Sequence, residues 1–167
     1  MVRAARAEDA EAIARVHTRG WQGAYAHVFP ADALASISVE RRRAYWAGQL
    51  TAPSPRSAIV VAEVDGSVAG FAAVGKARGE ADDMGELYAI YVEPERWGTG
   101  LGRALIRAAE ERLRAAGFAE AILWVLDDNP RARRFYEAAT WTHNGGSKQD
   151  TFLGTDVTEV RYRKRLL

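Results

Sequence analysis

The sequence predicts a single-domain α/β fold of the α+β type, a mixed and mostly antiparallel sheet with one central parallel pair, flanked by helices. Three observations carry that expectation. Two apolar runs, Ala58–Val64 and Val68–Val74, flank Asp65-Gly66 and predict an antiparallel hairpin. The succession Leu87–Val92, an amphipathic run over 101–116, then Ala121–Leu126 predicts two parallel strands joined by a crossover helix. The chain has 167 residues, enough for one core and too few to suggest a second.

Each element follows from its pattern. Val2–Ala5 predicts a short first strand. The acidic stretch Glu8-Asp9-Ala10-Glu11 suits a first helical turn, and Ile13, Val16 and His17 mark an apolar face running toward Trp21. Asp32–Ile37 and Val39–Leu50 read as two further helices, the second with Tyr45, Trp46 and Leu50 on one face. Pro53-Ser54-Pro55 ends that pattern. The polar, glycine-containing stretch from Lys76 to Gly85 reads as a mobile connector. Within helix 101–116, Leu101, Leu105, Ala109 and Leu113 recur at i+4, and Gly117 is placed as its stop. Ala121–Leu126 is wholly apolar, as a strand buried on both faces is. Asn129 fits a helix cap and Pro130 the first helical position. After Trp141 the glycines predict turns, and Val157–Arg163 a closing antiparallel strand with one wet face.

Composition narrows the function classes. The net charge of +1 gives no bulk field for nucleic acid or membrane. The chain has no cysteine, which excludes disulfides, thiolate metal sites and a covalent acyl-cysteine. His17, His27 and His143 have no metal-ligand spacing, so no metal is expected. Met1-Val2-Arg3-Ala4 begins no apolar leader, and no run approaches the roughly 20 apolar residues of a membrane span, so a cytoplasmic protein is expected.

The chemistry lies after Leu87–Val92. There Glu93-Pro94-Glu95-Arg96-Trp97-Gly98-Thr99-Gly100-Leu101-Gly102-Arg103 leads from a strand into a helix. Glycines let backbone approach a ligand, and the unpaired N–H groups of a helix start attract an anion. The spacing is not that of a dinucleotide fingerprint, because Arg103 stands where its third glycine would be. Nor is it a P-loop, because Arg103-Ala104 replaces Lys-Ser/Thr.

The segment resembles the acyl-CoA loop of the GNAT superfamily of N-acetyltransferases, Gln/Arg-x-x-Gly-x-Gly/Ala, with Trp97 at the Gln/Arg position. About 30 residues on, Asn129-Pro130-Arg131-Ala132-Arg133-Arg134-Phe135-Tyr136-Glu137 resembles the family's Asn-x-x-Ala-x-x-Phe-Tyr-Glu. The family's following Gly-Phe pair is Thr140-Trp141 here. The resemblance covers roughly residues 57 to 141. It implies an N-acetyltransferase that uses acetyl-CoA as co-substrate and a primary amine as acceptor, in a sheet splayed to admit the CoA. A catalytically silent CoA-binding sensor of the same fold is the alternative. A small-molecule or peptide acceptor and a possible homodimer complete the expectation.

The resemblance also implies site residues. Tyr136 would be the acid near the leaving sulfur, and Asn129 would touch the pantetheine or its loop. Backbone groups of Ile90, Tyr91 and Val92 would pair with the pantetheine amides. Trp97, Gly98, Thr99, Gly100, Leu101, Gly102 and Arg103 would hold the pyrophosphate. Glu86, placed by period two on one face with Tyr88, Ile90 and Val92, is the candidate base. Trp21, Tyr25 and His27 are candidate walls of an acceptor pocket, with Glu86. Glu80, Asp82 and Asp83 lean toward a cationic amine. Arg131, Arg133 and Arg134 read as a solvated helix face, one of them near the 3′-phosphate in a second reading.

Overall fold

In the computed structural model, which describes residues 1–167, the elements run in the predicted order. They are β1 (Val2–Ala4), α1 (Ala10–Ala24), α2 (Ala31–Ala35), α3 (Val39–Thr51), β2 (Ala58–Val64) and β3 (Ser67–Lys76). After these come β4 (Met84–Val92), α4 (Leu101–Ala115), β5 (Glu120–Leu126), α5 (Pro130–Ala138), β6 (Thr142–Phe152) and β7 (Thr155–Arg165). The seven strands form one sheet in the order β1-β2-β3-β4-β5-β7-β6. Only β4 and β5 are parallel. No helix is long and apolar enough to cross a membrane.

Local chemistry explains the frame. Asp65 and Gly66 both take positive φ, the two left-handed residues of a tight hairpin turn. Helix α4 buries Leu105, Ile106, Ala109 and Leu113. It stops at Gly117 (φ 84°), where Phe118 N–H returns to the Leu113 carbonyl at 3.1 Å. On this face α4 and α5 cover a core containing Leu87, Phe118, Leu123, Trp141 and Tyr162. On the other face α1 and α3 cover Ile13, Val16, Trp46, Val61 and Phe71.

Three expectations change. The connector after β3 is shorter, because β3 runs to Lys76 and β4 begins at Met84, leaving only residues 77–83 between them. The stretch after Trp141 is not a set of turns but β6, whose polar and glycine-rich residues hid it. It pairs with β7 around a register shift between His143 and Ser147. Strand β7 therefore lies inside the sheet, between β5 and β6.

Candidate active site

The parallel pair is short. β4 and β5 pair at Met84↔Glu120, Gly85↔Ala121 and Glu86↔Ile122 only. Beyond Glu86, β4 stays with β3 as far as Val92↔Gly70, while β5 follows β7 to Leu126↔Glu159. A gap opens between the two strands, as the splayed sheet requires. Glu93 N–H donates to the Ala69 carbonyl at 2.8 Å. By antiparallel alternation Tyr91 then spends its backbone groups on β3, whereas Ile90 and Val92 turn theirs to the gap. Tyr91 therefore offers no backbone to an added strand, a correction to the expected trio. The Val92 carbonyl also accepts the Trp97 indole Nε1–H at 2.9 Å.

A register shift also corrects the expected face. Ala73 pairs with Ala89 but Val74 with Leu87, so Tyr88 is an extra residue in β4. Such a bulge reverses which face the following side chains use. Ile90 and Val92 join Leu87 on the α4 face, and Ala89 and Tyr91 pack on the α1–α3 face. Glu86 pairs with Gly75, whose missing Cβ would meet the Tyr88 ring, so Glu86 and Tyr88 lie on the α1–α3 side. Glu86 does not share a face with Ile90 and Val92.

On the α4 side the glycine loop closes a cavity of about 470 Å³. Gly98 (φ 76°) and Gly100 (φ 90°) are both left-handed, and an added Cβ at either would meet open space, so backbone conformation is what requires glycine there. Gly102 is glycine for another reason: a Cβ there would sit 3.2 Å from the Phe135 ring of α5. Thr99 turns its hydroxyl back to the Arg96 carbonyl, and Leu101 packs against the core. The first N–H groups of α4, through Arg103, are left for an anion. Arg96, Arg103, Arg131 and Arg134 line this cavity and no carboxylate does. The Arg131 guanidinium lies 3.5 Å from the Trp97 ring centroid.

A second cavity of about 520 Å³ lies on the α1–α3 side. It shares Ile90, Val92, Trp97, Arg131, Ala132 and Tyr136 with the first, so the two meet at the gap. The Tyr136 ring is buried in the core, yet its hydroxyl makes no hydrogen bond within the chain. Burial pushes its phenol well above the usual range, so it stays protonated.

The second cavity gathers several expected residues. Trp21, Tyr25 and Glu86 line it. Glu86 is 1% exposed; its Oε2 accepts the Arg78 backbone N–H at 2.9 Å and Nε at 3.4 Å, and its Oε1 accepts Nη2 at 2.6 Å. Asn129 realises the predicted cap, its Oδ1 accepting from Ala132 N–H at 3.1 Å, and its Nδ2 donates to the Tyr25 hydroxyl at 3.3 Å. It lines the second cavity and not the loop cavity. His27 is exposed at the surface, 2.8 Å from the Asp128 carbonyl, and lines neither. The acidic connector stands apart from the site: Glu80, Asp82 and Asp83 line neither cavity, and Asp82 pairs with Lys76 and Glu80 with Arg161. Its lean toward a cationic amine therefore lapses.

Two residues missed in the sequence also line this cavity, Glu159 of β7 and Arg42 of α3. Burial pushes the Glu159 carboxyl up, with Lys148 3.9 Å away opposing it. His17 accepts the Trp46 indole N–H at 3.2 Å, and burial, then Arg42, hold its imidazole down to about 3. An unfolded His17 takes up its proton below about 6.5, whereas the folded one stays neutral down to about 3. Stability is therefore lost as pH falls through that window. Melting of wild type and His17→Gln between pH 7 and pH 4 should show the steeper decline in wild type; equal slopes would remove His17 as the cause.

The Acetyltransferase (GNAT) family profile matches residues 11–140, well over half of the chain. The chain belongs to the GNAT family. A Bacillus subtilis relative, the N-acetyltransferase YuaI, is 38% identical over 119 residues. That match spans 71% of this chain and 66% of the relative, just under two thirds. The fold is similar to that of PaiA N-acetyltransferase from Thermoplasma acidophilum, solved with coenzyme A: TM-score 0.76, 21% identity, 99% of this chain and 98% of that one. It is similar also to YncA from Salmonella typhimurium, solved with acetyl-CoA: TM-score 0.75, 19% identity, 99% and 93% covered.

Seen as a GNAT chain, the departures acquire causes. At Trp97, the indole bonds the Val92 carbonyl and packs on α1 at Gly23, whose added Cβ would lie 3.1 Å from the ring. At the family's Gly-Phe pair, Thr140 stands at φ 66°, a conformation that favours glycine. Thr140→Gly should raise stability by about 1 kcal/mol, the relieved strain less the added unfolded-state entropy. A shift in the urea midpoint measures it; no gain would mean that Thr140 is unstrained.

Proposed function

We propose that this chain transfers an acetyl group from acetyl-CoA to a primary amine by direct attack in a ternary complex. The observation that carries the reading is the junction of two cavities at the gap in the sheet, with the unpartnered Tyr136 hydroxyl between them. The loop cavity suits the CoA: N–H groups at the α4 start and four arginines line the space for a pyrophosphate, and Arg131 on Trp97 supplies the polar side chain that the family takes from its Gln/Arg. Ile90 and Val92 offer the sheet edge to the pantetheine amides. The thioester supplies an activated acyl carbon.

Glu86 takes the proton that the amine must lose. A carboxylate has about four lone-pair sites; Arg78 fills three, and the fourth, on Oε1, is left for the amine or for a bridging water. The amine nitrogen bonds to the acyl carbon as the carbon–sulfur bond breaks. Tyr136 gives its hydroxyl proton to the departing sulfur and recovers one from the nitrogen, which sheds its second proton on becoming an amide.

The test is thiol release from acetyl-CoA over a panel of primary amines, beside calorimetric CoA binding. Amine-dependent release supports the reading. CoA binding with no release from any amine would overturn it in favour of a silent CoA-binding sensor.

A further inference from the structure

The second cavity holds one cation that nothing in the protein answers. Arg42 lies on α3, four residues before the buried Trp46, on the face that packs toward His17 of α1 and Phe71 of β3. Its guanidinium carbon is 5.6 Å from the Trp21 ring centroid. Its Nη1 is fully buried and has no hydrogen-bond partner, and its side chain makes neither a hydrogen bond nor an ion pair with any residue. The groups around it are His17 and Trp21 of α1 and Tyr91 of β4. His17 is neutral and already bonded to Trp46, and the burial of Tyr91 keeps its phenol protonated.

The other charges of the cavity are spoken for. Arg78 is bound to Glu86, Glu159 faces Lys148, and Arg131 stacks on Trp97 at the loop end. Arg42 is half-buried, with one nitrogen cut off from water and unpartnered, which is costly; a well-packed apolar side chain there would avoid that cost. A polyamine would place a second cation beside the first. A single guanidinium, planar and forked, matches a monoanion of carboxylate shape. A phosphate dianion would call for the cations that are already engaged.

We infer that the acceptor is an amino acid, its carboxylate held by Arg42 and its amine presented to Tyr136 and Glu86 within the same cavity. This rests on the acetyltransferase reading above and names its substrate class.

The experiment uses matched probes on the full chain. The amino acids are methionine, phenylalanine, β-alanine and 4-aminobutyrate. Their partners lack the carboxylate: 3-(methylthio)propylamine, phenethylamine, ethylamine and propylamine. Thiol release and calorimetric binding to the CoA-loaded protein are read for wild type and Arg42→Gln. At least one amino acid should be turned over with kcat/KM about 100-fold above its partner amine, since a site built for a polar group rejects the analogue lacking it. Arg42→Gln should close that gap to within about 3-fold, mostly through KM. Equal use of the paired probes, an undiminished gap in the variant, or binding of no amino acid would overturn the inference.

Failure of the parent reading looks different: no probe releases thiol, while amino acid binding that Arg42→Gln abolishes would preserve the carboxylate site. Arg42→Met, melted without ligand, should be at least as stable as wild type. A large drop in its melting temperature would mean that Arg42 serves the fold, and would also overturn the inference.

Discussion

Replacing Tyr136 with Phe is expected to lower kcat by about 10²-fold, the usual worth of a positioned acid, while KM for acetyl-CoA stays within a few-fold. The hydroxyl has no partner in the protein, so its loss leaves no donor or acceptor stranded. The ring keeps its contacts with Phe135 and Tyr162, at centroid separations of 5.4 and 6.1 Å. The variant should therefore melt as wild type does, and the kinetic loss can be assigned to the O–H. Because burial raises the phenol, Tyr136 contributes no alkaline fall in rate in the neutral range. Steady-state kinetics from pH 6 to pH 9 check both points. A variant with wild-type kcat would take the acid role away from Tyr136.

The largest stability effect is expected at Trp141, where Ala should cost about 3–5 kcal/mol in denaturant unfolding. The indole is 2% exposed and packs in the α4-side core. Its Nε1–H donates to Glu110 Oε1 at 3.0 Å. Glu110 is also held by Lys164 at 2.7 Å and by Arg114 at 3.5 Å, so removing the indole does not leave its charge alone. The cost is thus mainly the lost volume. Trp141→Phe, which keeps much of that volume, should cost less than half as much. A similar loss in both variants would shift the weight to the Glu110 hydrogen bond.

Legibility followed the length scale of each signal. Patterns that repeat within one element were readable: the i+4 row of α4, the Asp65-Gly66 turn, the cap at Asn129 and the run of β5. The second hairpin was not, because Leu153 and Gly154 both take positive φ, and Leu is an unusual residue for that conformation. Period two placed Glu86 with Tyr88 correctly and with Ile90 and Val92 wrongly, because one inserted residue, Tyr88, reversed the count. That insertion has no mark in the strand sequence. Tyr136 and the glycine loop could be found because two motifs agreed. Arg42 and Glu159 stand alone, in a run of three arginines and in a charged strand. One clue to Arg42 was present: it is four residues before Trp46, a charge on the apolar face of its helix. Glu159 offered none, since β7 was expected at the rim with a wet face.

The two rims of the sheet bear on how copies of this chain can meet. At one rim β1 has three residues, too short to template another strand. At the other, β6 is polar and exposed over most of its length, carries Lys148, and loses register between His143 and Ser147. Short, bulged and charged edges discourage strand addition from a neighbour. Both ends of the sheet thus resist growth into a continuous intermolecular sheet, which turns association between copies toward the helices and loops.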